Sequence, residues 1–423
     1  MIDFINNFVL KIIFENRLKN FKNNDKINRK INSIGIILDD KFLLPSSFKQ
    51  VLSKNFNVSH TNIKILVFNN NNKNNNNIKG FDFIFKKDEI NLFGNFSGDL
   101  KKFSNKKFDL LINYFDVIKN FKMKFLKGTG VAMVTPFNNN NKVDYDSIPK
   151  IIDYLINGNS SEGGVDYIVV LGTTAESVNL SYEEKIKILK IIVKHNDKRL
   201  PLVIGIGSNS TFDVLSFLEK EKSFINLNFS ALLSVCPYYN KPSQSGIYLH
   251  YKKIAETSKI PVILYNVPSR TGVGIELNTI LNLSKIDNIV GIKEASGNLS
   301  HALELISKLP QNFHFISGDD ELALSIVQAG GSGVISVIAG AFPTYIKQMI
   351  NFGFIGNLKK ANEIQFKLLP LIKLIFREGN PSGIKGLLSN PLINLCENNL
   401  RLPLTSVSDK LKNEIDFELK KIF

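Results

Sequence analysis

From residue 129 onward the chain carries eight short apolar runs, and this repetition limits the fold more than any other feature. They are TGVAMVTPF (129–137), YIVVLGT (167–173), PLVIGIG (201–207), ALLSVCPY (231–238), PVILYNVP (261–268), IVGIKEA (289–295), FHFISGDD (313–320) and GVISVIA (333–339). Continuous apolar runs, rather than alternating ones, are what strands covered on both faces look like. Amphipathic helical patterns separate them. The clearest begins at Ser181, where Ser181 and Glu184 form a capping box and Ile186, Leu189, Ile192 and Val193 make one apolar face. Eight strand–helix units at intervals of about 20 to 40 residues predict an α/β fold of the (β/α)8 TIM-barrel type, with its active site at the C-terminal ends of the strands. The barrel is expected over 123–345, with a C-terminal helical extension over 346–423.

The 423 residues exceed what one barrel needs. Residues 1–122 read as a separate, small α/β domain. It has a leading helix in the first 20 residues, strands in INSIGIILDD (31–40), NIKILVF (62–68) and FDLLINYFDV (108–117), and a low-complexity loop NNNNKNNNN (69–77) too polar to pack. At NFKMKFLKGTG (120–130) Met123 is followed by a strand and a turn, as if a second protein began inside the first; a gene fusion would produce that.

Several function classes are excluded. No apolar run reaches the roughly 18 to 20 residues that span a bilayer, and the first 20 residues, interrupted by Asp3 and Glu15, lack a secretory cleavage site. Cys236 and Cys396 make neither a disulfide framework nor a CxxC metal site. A soluble, cytoplasmic protein is expected. The formal charge of +15 is dispersed among Asn, Ile and Phe without a basic stripe, so no nucleic-acid partner is expected. In GIGSNS (205–210) Ser210 stands where a dinucleotide fingerprint needs its third glycine.

The strand ends carry the chemistry. Lys293 follows an apolar run in which an unpaired ammonium costs several kcal/mol. It either reaches solvent where the strand stops or is chemically employed. Other strand ends supply Thr173 and Thr174, Tyr238 and Tyr239, Tyr265 and Arg270, with no His/Cys/carboxylate cluster to hold a metal. Desolvation of a lysine favours the neutral amine, which attacks a ketone to form a Schiff base; the iminium then permits loss of an adjacent proton, giving an enamine. Tyr265, 28 positions earlier, is placed to relay protons, although a strand tyrosine is also an ordinary core aromatic, and the threonines are also ordinary turn residues. A guanidinium at a strand end implies a carboxylate substrate.

GTTAES, PYYNKPSQSG, YNVPSRTG, GIKEASGN, SGDD and GVISV, in this order, resemble the motifs of the dihydrodipicolinate synthase family, class I aldolase-like lyases of the N-acetylneuraminate lyase superfamily. The resemblance covers about residues 125 to 410. It implies condensation of pyruvate with aspartate 4-semialdehyde in the diaminopimelate route to lysine, without a cofactor. It further implies that Lys293 forms the Schiff base, Tyr265 donates protons, and Thr173 and Tyr239 complete the relay, Tyr239 reaching into a neighbouring subunit of a homodimer or homotetramer. Thr174 and the backbone at Ile335 are implied as pyruvate contacts, and Arg270 as the holder of the semialdehyde carboxylate. Ala175 stands where the family has glycine, which predicts a slightly reshaped turn. The N-terminal piece resembles a small uncharacterised domain family of Bacteroidota. Two other functions compete: a sugar-acid lyase of the same superfamily, which shares the lysine and tyrosine but not generally Arg270, and a catalytically silent binding protein on the same scaffold.

Overall fold

A computed structural model of the chain describes residues 34–39, 63–69, 83–86 and 110–113, and then 123–158 and 163–422. Cα packing divides the chain into two units, Met1–Lys122 and Met123–Phe423. In the first, β1 (Ile34–Asp39), β2 (Ile63–Asn69), β3 (Phe83–Lys86) and β4 (Leu110–Asn113) pair in parallel in the order β3-β2-β1-β4. Three of these lie in the expected runs, except that β2 extends by one residue, Asn69, into the stretch expected as a loop. The fourth, β3, was not expected, because it offers only three apolar residues, Phe83–Phe85, between Asp82 and the lysines Lys86 and Lys87. The expected leading helix and residues 70–77 lie outside the described residues.

The second unit is a closed parallel barrel of β5 (Gly128–Ala132), β6 (Tyr167–Val170), β7 (Leu202–Gly205), β8 (Ala231–Val235), β9 (Val262–Asn266), β10 (Ile289–Glu294), β11 (His314–Ser317) and β12 (Gly333–Ser336). All eight expected strands are present, each shorter than its apolar run. The ladder stops where the chain leaves the barrel wall to build the loops above it, and Pro136, which has no N–H, falls in the tail of the first run.

Alternation along each strand sorts the side chains into two cores. Tyr167, Val169, Val203, Ala231, Leu233, Ile263, Tyr265, Val290, Ile316 and Ile335 fill the barrel interior. Their neighbours Ile168, Val170, Leu202, Ile204, Leu232, Val262, Leu264, Ile289 and Ile292 pack outward under the helices. Gly130 has to be a glycine, since a Cβ there would lie 2.2 Å from the Tyr167 ring that occupies the interior. A 3-10 helix, Lys124–Leu126, brings buried Met123 and Leu126 into the interior core, and Phe125 meets Tyr167 edge-to-face at 5.4 Å.

The capping box forms as the sequence predicts: Ser181 Oγ accepts the Glu184 N–H at 3.2 Å and Glu184 accepts the Ser181 N–H at 3.0 Å, opening helix Tyr182–Asn196. Helix Pro343–Phe354 packs against β5 and spans residue 345. Helices Leu358–Arg377, Ser382–Leu388 and Asp409–Leu419 follow it within the same unit. Among the described residues no helix is long and apolar enough to cross a membrane.

Candidate active site

In the parallel pair β9–β10, Tyr265 lies opposite Lys293 and Asn266 opposite Glu294. Alternation sends the first pair into the barrel and the second outward. The outward pair is fully engaged. Asn266 Nδ2 donates to Glu294 Oε2 at 2.8 Å, the Ser296 N–H donates to Glu294 Oε1 at 2.8 Å, and the Ile275 N–H donates to Asn266 Oδ1 at 3.0 Å. The carboxylate next in sequence to Lys293 is therefore held on the far side of the wall.

Lys293 is 6% exposed, with Nζ 4.5 Å from the centroid of the Tyr265 ring. Among the described residues no carboxylate pairs with it. Its stem passes over Gly318, where a Cβ would stand 2.9 Å from Lys293 Cε. The chain holds a second buried lysine in the same tripeptide, Gly383-Ile384-Lys385, with the opposite surroundings. Lys385 is fully buried and donates to Glu176 at 2.6 Å and to the Asn399 carbonyl at 2.9 Å. Burial pulls its pKa down and Glu176 opposes that. Lys385 is consumed by structure, whereas Lys293 has a free amine in a barrel mouth.

The loop after β6 carries Thr173 and Thr174 on a 3-10 turn, Thr173–Ala175. It is tied from three directions. Thr135 donates to the Ala175 carbonyl at 2.8 Å, Lys385 holds the Glu176 carboxylate, and the Arg401 N–H donates to its other oxygen at 3.2 Å. The left-handed residue here is Glu176, at φ 52°; Ala175 is not among the positive-φ residues, so the reshaping expected from replacing glycine does not follow. Thr174 is buried and its Oγ1 accepts from Asn380 Nδ2 at 3.0 Å. Arg270, on the short helix Pro268–Thr271, donates from Nη2 to the Asn380 carbonyl at 3.2 Å, and no carboxylate pairs with it among the described residues.

Ile335 is fully buried on β12 opposite Gly130. The chain just beyond it is fixed by Asp320, whose Oδ2 accepts the N–H groups of Val337 and Ile338 at 3.0 Å each; burial raises the pKa of this carboxyl. Tyr239 is the exception. It is 87% exposed at φ 71° and lies outside the buried site of its own chain.

The structure thus joins Lys293 with Tyr265 directly, and Thr174 with Arg270 through Asn380. An amine without a counter-ion, a phenol beside it, a hydroxyl and an open guanidinium suit imine chemistry on a keto acid. The sequence reading missed Asn380, Lys385 and Asp320. The repeated Gly-Ile-Lys string and the Asn-Pro-Ser-Gly turn signal before it mark the first two.

The sequence profile of the dihydrodipicolinate synthetase family matches residues 125–422, and that of a family of unknown function matches residues 6–127. A 4-hydroxy-tetrahydrodipicolinate synthase of Flavobacterium psychrophilum is 47% identical over 301 residues, which is 71% of this chain and 99% of that one. The dihydrodipicolinate synthase of Acinetobacter baumannii, solved in complex with pyruvate, superposes with a TM-score of 0.66 at 37% identity, over 70% of this chain and 98% of that one. A structure described as the first monomeric dihydrodipicolinate synthase variant gives a TM-score of 0.66 at 35% identity, over 71% and 98%. With the profile, the relatives and the barrel in agreement, the chain belongs to the dihydrodipicolinate synthetase family of class I aldolase-type lyases.

Proposed function

We propose that the Met123–Phe423 unit acts as a 4-hydroxy-tetrahydrodipicolinate synthase in lysine biosynthesis, condensing pyruvate with aspartate 4-semialdehyde on Lys293. The observation that carries the assignment of the nucleophile is the buried, acid-free Lys293 amine 4.5 Å from the Tyr265 ring. The neutral amine adds to C2 of pyruvate and water leaves, giving the iminium. Loss of a proton from C3 gives the enamine, whose carbon attacks the aldehyde carbon of the second substrate. The amine of that substrate then closes on C2 and releases Lys293. Each step moves a proton, which Tyr265 and Thr173 relay. Thr174 and the backbone at Ile335 hold the pyruvate, and Arg270 holds the carboxylate of the semialdehyde.

Tyr239 completes the relay in a second copy of the chain, in a homodimer or homotetramer. Its exposed ring and left-handed backbone support this reading, since an unpacked tyrosine in a strained conformation is hard to account for within one chain. A cytoplasmic location goes with the reading.

Turnover of pyruvate with aspartate 4-semialdehyde, and none of pyruvate with N-acetylmannosamine, is the expected result of a coupled assay. Borohydride added with pyruvate should trap an adduct on Lys293 and none in Lys293→Ala. Mass spectrometry placing the adduct on another lysine would overturn the assignment of the nucleophile, and turnover of the sugar alone would overturn the substrate.

A further inference from the structure

Asn380 lies outside the eight strands, 7% exposed, yet touches both Thr174, assigned to pyruvate, and Arg270, assigned to the semialdehyde carboxylate. Its amide nitrogen donates to Thr174 and its main-chain oxygen accepts from Arg270. A threonine hydroxyl offers one hydrogen and two lone pairs, and an amide NH2 can only donate. With Nδ2 on Thr174 Oγ1, the hydroxyl hydrogen is therefore directed away from Asn380. Among the described residues nothing in the protein accepts it. The orientation has a cost, because Asn380 Oδ1 is left buried with no partner, and an unpaired carbonyl away from water is unfavourable by about 1 to 3 kcal/mol. A side chain present only to fill space would serve better without the amide.

We propose that Asn380 is a positioning residue for substrate carboxylates: its amide turns the Thr174 hydroxyl hydrogen into the pocket, and its main-chain carbonyl steadies Arg270 at the mouth. The role rests on the reading of Thr174 as a pyruvate contact and Arg270 as the holder of the semialdehyde carboxylate. It also explains why the C-terminal segment is bound so firmly to the β6 loop. The buried Lys385–Glu176 pair, five residues from Asn380, fixes the segment to the loop that carries Thr174. Arg401 adds two bonds of 2.7 Å to Glu184 and one of 2.9 Å to the Asn179 carbonyl in the same region.

Asn380→Asp tests the role with little change of volume. The carboxylate accepts where the amide donated, so the Thr174 hydrogen turns toward position 380 and a negative charge faces the pocket. The expected result is a rise in KM for pyruvate of about tenfold or more, the scale of one hydrogen bond to a charged group, with kcat reduced far less. Asn380→Ala should raise the same KM by a smaller factor. In a Thr174→Val background, Asn380→Ala should change it by less than about twofold, because the hydroxyl it orients is gone.

An Asn380→Asp enzyme with unchanged KM for pyruvate would overturn the proposal, as would independent, multiplicative effects of Asn380→Ala and Thr174→Val. If Asn380→Ala does not fold, Asn380→Asp decides alone. Borohydride trapping in the unsubstituted enzyme separates the two readings: failure to trap Lys293 defeats the site assignment, whereas normal trapping with a silent Asn380→Asp defeats only the positioning role.

Discussion

Lys385 and Lys293 show what surroundings do to one side chain. Breaking the Lys385–Glu176 pair from one side leaves a buried charge without its counter-ion, a loss of about 3 to 5 kcal/mol in comparable pairs. Lys385→Met should therefore lower the urea midpoint strongly, and adding Glu176→Gln should restore part of it; equal midpoints for Lys385→Met and the parent would show the pair to be idle. Histidines give a second prediction. Burial pushes His250 and His314 down to about 4, while Thr211 Oγ1 lies 2.8 Å from His250 Nδ1. A histidine that takes its proton near 6.5 when unfolded and near 4 when folded favours the folded state fully above 6.5, and that contribution is lost as pH falls toward 4. The thermal midpoint should fall across this window, and His250→Gln should flatten the fall. A slope unchanged by His250→Gln would assign the effect elsewhere.

Elements fix the site because each is held at both ends. The β6 loop is gripped by the segment after β5 through Thr135 and by the C-terminal segment through Lys385 and Arg401. Glu184 serves both as the cap of helix Tyr182–Asn196 and as the partner of Arg401, which lowers its pKa. The base of the barrel depends on the turn Lys124–Leu126. A protein beginning at Met123 should fold and keep its activity, since every assigned residue lies beyond it. One beginning at Gly128 loses the buried Met123 and Leu126 side chains, each removal costing about 2 to 5 kcal/mol, and should melt far lower. Equal thermal midpoints for the two proteins would show that the turn does not seal the base. The alternation behind this core was hidden in the sequence, because most residues on both faces of the barrel strands are apolar; the capping box was plain, because its two residues lie three apart.

At the scale of the whole molecule, the barrel was legible because eight apolar runs repeat in one order, and the Lys293–Tyr265 pair drew attention because a lysine in such a run demands an explanation. The anchors were not legible. Asn380 meets Thr174 across 206 positions and Lys385 meets Glu176 across 209, and nothing local records a partner so far away. Among the described residues Tyr239 has no partner that would explain its exposure.

That long-range tethering bears on the order in which the protein is made. Chains emerge from the ribosome N-terminus first and fold as they go. Thr173, Tyr265 and Lys293 are all exposed to the cell before Asn380, Lys385 and Arg401 exist. Lys293 is thus present in the growing chain while the loop that carries Thr173 and Thr174 is still untied. A chain that ended before Asn380 would therefore carry every assigned side chain of the relay and none of the three tethers from Asn380, Lys385 and Arg401 that fix the β6 loop.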